Sequence, residues 1–185
     1  MVDKGESPNH AEFLRNLRQS RRFLDKPVPQ DVIDDLIAVA RATGSADQAA
    51  TWQFIVVDDL VTKRALSEIG AFTEILAQVA VAIVMVLDGT STPSKANVEG
   101  RVAERIMLAA GRHGLASGTG WFGGDEAQDD ARAILGVKPP RYVWAAVGIG
   151  YVDIDNTGES TSLERIRQSL DSLTAKRPKP TEPRP

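Results

Sequence analysis

The sequence predicts a single domain of the α+β or α/β sandwich class, and three observations carry that prediction. Segments of helical period alternate with four to five short runs rich in β-branched and aromatic residues, as expected for helices layered on a sheet. The strongest run, AVAIVMVL at 80–87, shows no polar alternation and reads as a strand buried on both faces. A length of 185 residues supports one substantial core rather than two independent ones.

Taken in order, Phe13, Leu14 and Leu17 mark a short helix over 9–17, which runs into the basic cluster RQSRRF at 18–23 and the extended LDKPV. Pro29 opens the next helix at its favoured first position, with Asp31, Asp34 and Asp35 toward the positive end and Val32, Ile33, Leu36, Ile37 and Ala40 as its apolar stripe. TGSADQAATWQFIVV at 43–57 is a polar, small-residue loop that enters a β-favouring strand at 52–57, the kind of place where ligand contacts gather. Asp58 and Asp59 offer an N-cap for a helix reaching Ile69, with Gly70 as its stop. A helical piece over 72–78 precedes the buried strand, and 88–97 reads as a Gly/Ser/Thr/Pro loop. Val102, Ile106, Leu108, Ala109 and Ala110 make 98–113 a largely buried central helix ended by Gly114. There follow a strand and turn in LASGTGWFGG, a helix over 126–135 stopped by Gly136, a strand over 142–149 and a last helix over 163–173. The domain is expected to span 9–175, and the proline-dense KRPKPTEPRP at 176–185 to be a disordered tail.

Several function classes drop out on composition. With 22 Lys and Arg against 25 Asp and Glu, a net charge of −3 leaves no electrostatic footprint for nucleic acid. The absence of cysteine removes disulfides, thiolate nucleophiles and cysteine zinc sites, and suits a reducing compartment. No apolar leader-like run occurs near the start, and the longest apolar run, 79–87, is too short to span a bilayer, so the expectation is a cytoplasmic protein with no membrane partner. His10 and His113 are the two histidines, and they do not make a triad or a zinc site; His113 suits the last turn of its helix. GTGWFG at 118–123 matches the dinucleotide pattern G-x-G-x-x-G weakly, because the preceding strand is only LAS and KPPRYVW occupies the place of the expected acidic residue. A glycine-rich turn is the simpler reading. The arginines of RQSRRF can fork onto a phosphate, although the string alone favours a solvated basic edge.

The balance shifts with four ordered segments spanning residues 12 to about 153: RQSRRFLDKPVPQDVIDDLIAVARATGSA, TWQFIVVDD, RIMLAAGRHGLASGTGWFGG and ILGVKPPRYVWAAVGIGYVD. Together they resemble the nitroreductase family of flavin-dependent oxidoreductases, with its R-S-x-R-x-F-like start, S-x-x-N-x-Q-P-W-like loop, G-L turn with W-I-G, and late G-Y-P. The resemblance implies an α+β, nitroreductase-like fold whose central mixed, mainly antiparallel sheet is flanked by helices. It also implies FMN. Arg18 and Arg21 would hold the phosphate, with Gln19 standing where serine is usual; Ser45, Ala46 and Gln48 would lie along the isoalloxazine edge. Phe122, Gly123 and Gly124 would lie over the ring near N5, glycine permitting close approach. Arg165 or Arg167 would complete the phosphate site.

The chain departs from the family pattern at Gln48 and Ala50, which replace the asparagine and glutamine of N-x-Q, at Thr51 in place of proline, and at Val152 in place of the final proline. Each neutral hydrogen bond lost costs roughly 0.5–1.5 kcal/mol of flavin binding. The implied activity is hydride transfer from NADH or NADPH to flavin N5 and onward to a nitroaromatic, quinone or related acceptor, with no catalytic side chain required because the flavin carries the chemistry. The implied assembly is a homodimer with the flavin at the interface, in keeping with a central helix more apolar than one face requires. The altered loop keeps open a flavin-binding or flavin-storing protein with weak or no turnover, a flavin-free scaffold, and a deazaflavin in place of FMN.

Overall fold

The structure, a computed structural model, describes residues 10–43, 52–70, 72–88 and 93–152. In chain order these form α1 (His10–Asn16), α2 (Gln30–Arg41), β1 (Trp52–Val57), α3 (Leu60–Ser67), a 3-10 turn (Glu74–Ala77), β2 (Val81–Leu87), α4 (Pro93–Arg112), β3 (Ala116–Trp121), α5 (Asp125–Leu135) and β4 (Tyr142–Gly150). Contacts separate a unit Met1–Ile154 from a unit Asp155–Pro185, and every described residue belongs to the first. The expected last helix and tail lie outside the described residues, as do Ser45, Ala46, Gln48, Ala50, Arg165 and Arg167.

The strands pair antiparallel in the order β1-β2-β4-β3, and among the described residues the parallel pairing is an isolated bridge, Gln19–Ser117. All seven residues of β2 are buried, because this interior strand has helices on both sides. Its alternation divides the core: Val81, Ile83 and Met85 pack with Ile33, Leu36, Val102 and Ile106 of α2 and α4, whereas Ala82, Val84 and Val86 pack with Leu66, Ile75, Leu76, Phe122 and Ala131 beneath α3 and α5. Burying each large aliphatic side chain stabilises the fold by about 1.5–3 kcal/mol. The α2 stripe falls where its period places it, with Ile33, Leu36 and Ala40 buried and Val32 and Ile37 packed alongside.

Three boundaries differ from the sequence reading. Helix α4 starts at Pro93 and not at Val98, since proline suits a first turn and the Lys95 ammonium anchors that turn to Asp88 O at 2.6 Å. Pro29 is the N-cap of α2 and not its first helical residue. Helix α3 ends at Ser67, short of Ile69, because the buried Thr73 hydroxyl takes over its end, lying 3.0 Å from Ser67 O and accepting from Gly70 N–H at 3.1 Å. At the other end of α3 the Asp59 carboxylate accepts Thr62 N–H at 2.8 Å, the expected cap, and this bond lowers its pKa.

Lys63 shows how a polar group is accommodated beside this core. It is buried, and its ammonium donates to Val79 O at 2.7 Å and Ala80 O at 2.9 Å, just before β2 begins. Burial lowers its pKa, against the upward pull of Asp58, Asp25 and Asp59. Lys63→Met keeps the stem and removes the donors, leaving buried carbonyls unpaired at a cost of about 1–3 kcal/mol. Urea denaturation should show a lower midpoint with an unchanged slope.

Candidate functional site

Strand β3 organises the site. It is an edge strand, and its residues alternate: Gly118, Gly120 and Phe122 face the 3-10 turn, and Ser117, Thr119 and Trp121 face the other way. A Cβ on Gly118 would stand 2.3 Å from Ile75 Cδ1 and 2.8 Å from Ser20 O, and one on Gly120 would stand 3.1 Å from Leu76 Cγ. Two glycines of GTGWFG are therefore packing positions inside a strand, and the dinucleotide-loop pattern has no structural counterpart here.

The basic segment lies along the free edge of β3. Ser20 N–H donates to Ser117 O at 2.8 Å, and the Gln19 side-chain oxygen accepts from Thr119 N–H at 3.1 Å and from its hydroxyl at 3.2 Å. Farther on, Phe23 bridges to Val152 and Leu24 N–H donates to Tyr151 O at 2.8 Å, so the segment continues to the end of β4. The Arg18 guanidinium turns onto Leu17 O at 2.7 Å and Arg15 O, the free carbonyls at the end of α1. Arg21 and Arg22 are exposed and form no ion pair among the described residues.

At the other end of β3 the chain makes the turn 122–124. Phe122 turns its ring into the core and gives its N–H to Trp144 O at 2.9 Å. Gly123 has a φ of 84°, which favours glycine, and the buried Gln128 amide pins its carbonyl at 3.0 Å. Gly124 is the N-cap of α5 with φ −70°. A Cβ on Gly123 or Gly124 would meet nothing within 4 Å, so this turn borders open space. Beside it opens a cleft of about 600 Å³ lined by Glu68, Asp125, Glu126 and Asp130, a carboxylate wall that disfavours an anion.

Register relates these pieces. Trp52 pairs with Leu87, Leu87 with Tyr142, and Trp121 with Ala145, so Trp52 at the start of β1 and the 122–124 turn sit at the same end of the sheet. They are three strand spacings apart, roughly 14 Å. Along β3, the Gln19 anchor at Thr119 and the turn at Gly123 are separated by roughly 13 Å at the usual rise per residue.

No protein-family model matches the sequence. Over 147 residues it is 28% identical to an Archaeoglobus fulgidus protein provisionally named NADH dehydrogenase/NAD(P)H nitroreductase, covering 76% of this chain and 83% of that one. The structure of an FMN-dependent nitroreductase from Clostridium difficile R20291 is similar with a TM-score of 0.72 at 25% identity, over 85% of this chain and 97% of the other. The chain has the nitroreductase fold. The family's fold also holds at lower identity: the NADPH:FMN oxidoreductase of Vibrio harveyi, solved with NAD+, gives a TM-score of 0.75 at 16% identity, over 94% of this chain and 79% of that one.

Of the site residues expected for a nitroreductase-family chain, the structure brings Arg18, Gln19 and Arg21 to one end of β3 and Gly123 and Gly124 to the other. Phe122 goes into the core, and the loop residues lie outside the described set. His113 is not part of the site: its imidazole meets Asp35 at 2.8 Å and ties the end of α4 to α2. Among the described residues no cluster of His, Asp and Glu suits a metal ion.

Sequence reasoning missed two features of this nitroreductase-fold protein. One is an aromatic row, Phe72–Trp121–Trp144–Tyr142, with ring centroids 6.2, 6.5 and 6.3 Å apart and its Phe72–Trp121 end half-exposed. The other is Glu99 on α4, whose carboxyl is pushed up to about 8 by burial against the opposing pull of the Ala145 amide. Tyr142, beside it, is raised by burial and by Glu99. The signal that marks Glu99 in the string is its place three and four residues before Val102 and Ala103, on the apolar side of the helix; the aromatic row requires the strand register.

Proposed function

We propose that this chain is an FMN-dependent oxidoreductase that takes electrons from NADH or NADPH and passes them to a nitroaromatic, quinone or related acceptor, acting as a homodimer in the cytoplasm. The observation that carries the reading is the open Gly123–Gly124 turn at one end of β3 with the arginine segment pinned at the other. The residues present fit the group: side-chain-free backbone faces open space where a ring needs close approach, and an unpaired arginine lies where a phosphate needs charge. When bound, FMN supplies the hydride and electron chemistry. Arg21 binds the phosphate, and Arg18 joins it by leaving the α1 carbonyls; Gln19, its oxygen occupied by Thr119, offers its amide N–H. Gly123 and Gly124 direct backbone amides and the positive end of α5 at the ring, favouring negative charge there. Asp125 and Glu126 in the same turn keep the phosphate at the arginine end. The family resemblance assigns the ring edge to Ser45, Ala46 and Gln48 and a further phosphate contact to Arg165. No helix among the described residues is long and apolar enough to cross a membrane.

Anaerobic mixing of the FMN-loaded protein with NADH, and separately with NADPH, should bleach the flavin absorbance with at least one donor. Stable colour with both overturns the oxidoreductase reading and leaves the flavin-binding protein with weak or no turnover that Gln48 and Ala50 favour. Arg21→Ala removes a charge-assisted bond of about 1.5–3 kcal/mol, or roughly 10- to 150-fold in FMN affinity. Riboflavin, which lacks the phosphate, should bind the variant and the wild type alike in fluorescence titrations.

A further inference from the structure

Strand β4 carries a bulge. Val84 pairs with Ala146 and Val86 with Val143, so Trp144 and Ala145 together face Met85. On the opposite side Trp121 pairs with Ala145, and Phe122 N–H donates to Trp144 O at 2.9 Å. In that pattern the Ala145 amide points away from β3 toward β2, where the bulge has removed its ladder partner. The Glu99 carboxyl of α4, one turn on from the Lys95 that lies over Tyr142, is near enough for this amide to oppose the upward push of burial on it. Glu99 is 5% exposed, and among the described residues neither its Oε1 nor the buried Tyr142 hydroxyl has a hydrogen-bond partner. Lys95, on the preceding turn of α4, lies 5.8 Å from the Tyr142 ring. A buried carboxyl with an idle oxygen is costly, and the apolar packing of α4 against the sheet does not call for one.

We propose that Glu99 is a positioning residue: it holds the amide that the bulge strips from the ladder, and thereby fixes Trp144 as the support of Trp121 and of the Gly123–Gly124 turn. The connection is short. Trp144 O accepts the Phe122 N–H, the Trp144 indole stacks on Trp121 at 6.5 Å and 14°, and Gly123 directly follows Phe122. An apolar residue at 99 fills the space but leaves the Ala145 amide unpaired, so the bulge loses its restraint and the turn its fixed geometry. The effect on flavin binding rests on the function proposed above; the effect on the two tryptophans does not.

The experiment uses near-UV circular dichroism of the flavin-free protein, with Trp121→Phe assigning the couplet of the Trp121–Trp144 pair, followed by FMN titration. Glu99→Met should lose the couplet and bind FMN about tenfold more weakly, the loss of one buried hydrogen bond. Glu99→Gln, which keeps an acceptor, should restore both. A Glu99→Met protein with the wild-type couplet overturns the proposal. If the wild type itself binds no FMN, the flavin reading falls and the couplet alone decides the role of Glu99. Should Glu99→Met fail to fold, amide exchange of the wild type decides: Ala145 exchanging as slowly as Val147 supports the proposal, and fast exchange overturns it.

Discussion

Gly118→Ala should lower the melting temperature by roughly 2–12 °C, the range expected for an overpacking cost of about 1–3 kcal/mol in a domain of this size. The added methyl would stand 2.3 Å from Ile75 Cδ1 and 2.8 Å from Ser20 O. The isoleucine terminus can rotate away, but the carbonyl belongs to a backbone held to β3 by the Ser20–Ser117 bond and the Gln19–Thr119 contacts. Relief therefore moves the arginine segment outward, and FMN affinity should fall with stability, more than riboflavin affinity. Gly124→Ala is the contrasting case: its φ is ordinary at −70° and a Cβ there meets nothing within 4 Å. Its stability should stay within about 0.5 kcal/mol of wild type, while the methyl enters the space assigned to the ring and weakens both flavins. Thermal melts and paired titrations read all four quantities; a Gly118→Ala protein that melts and binds as wild type removes β3 as the organiser of the phosphate end.

Stability should also decline as pH rises from about 4.5 to about 8, and Glu99 is the group responsible. Its carboxyl, ordinarily at 4.5, is held near 8 by burial, so within that window the folded protein keeps a proton that the unfolded chain has released. Folding is then linked to proton uptake, and the stability of the native state falls with pH at up to about 1.4 kcal/mol per unit. The contribution is fully present below the ordinary value, is lost progressively up to the raised one, and levels off beyond it; in total it is on the order of 5 kcal/mol. Glu99→Gln isolates it, since the amide does not titrate. Urea unfolding of both proteins at intervals from about pH 5 to about pH 9 should give curves that separate, the wild type losing stability relative to the variant. Parallel curves would show that Glu99 is not held protonated in the folded state.

Much of the fold was legible in the string because the signals are local. The unbroken apolar run of β2, the α2 stripe, the Asp59 cap and the left-handed Gly136 after α5 each follow from interactions reaching only a few residues along the chain. The family motifs likewise pointed to the arginine segment and to the glycine turn, and both hang on β3. The part of Phe122 was not legible for a simple reason: strand alternation carries its ring to the face opposite Trp121, and its amide is consumed by the ladder. Arg18 was expected at the phosphate from the motif alone, and the string does not tell that its guanidinium also reaches the carbonyls at the end of α1.

The sequence by itself determined the type and order of the elements, the apolar faces they bury and the fold they resemble, since periodicity, capping and motif order are properties of neighbouring residues. Only the tertiary structure decided the strand order β1-β2-β4-β3, the bulge at Trp144 and Ala145, the placing of Gln19 against Thr119 and the burial of Glu99. Those depend on which distant strands pair and in which register. A shift of one residue would exchange every inward side chain for an outward one, so the register rests on the packing of the assembled core and on no short stretch of chain.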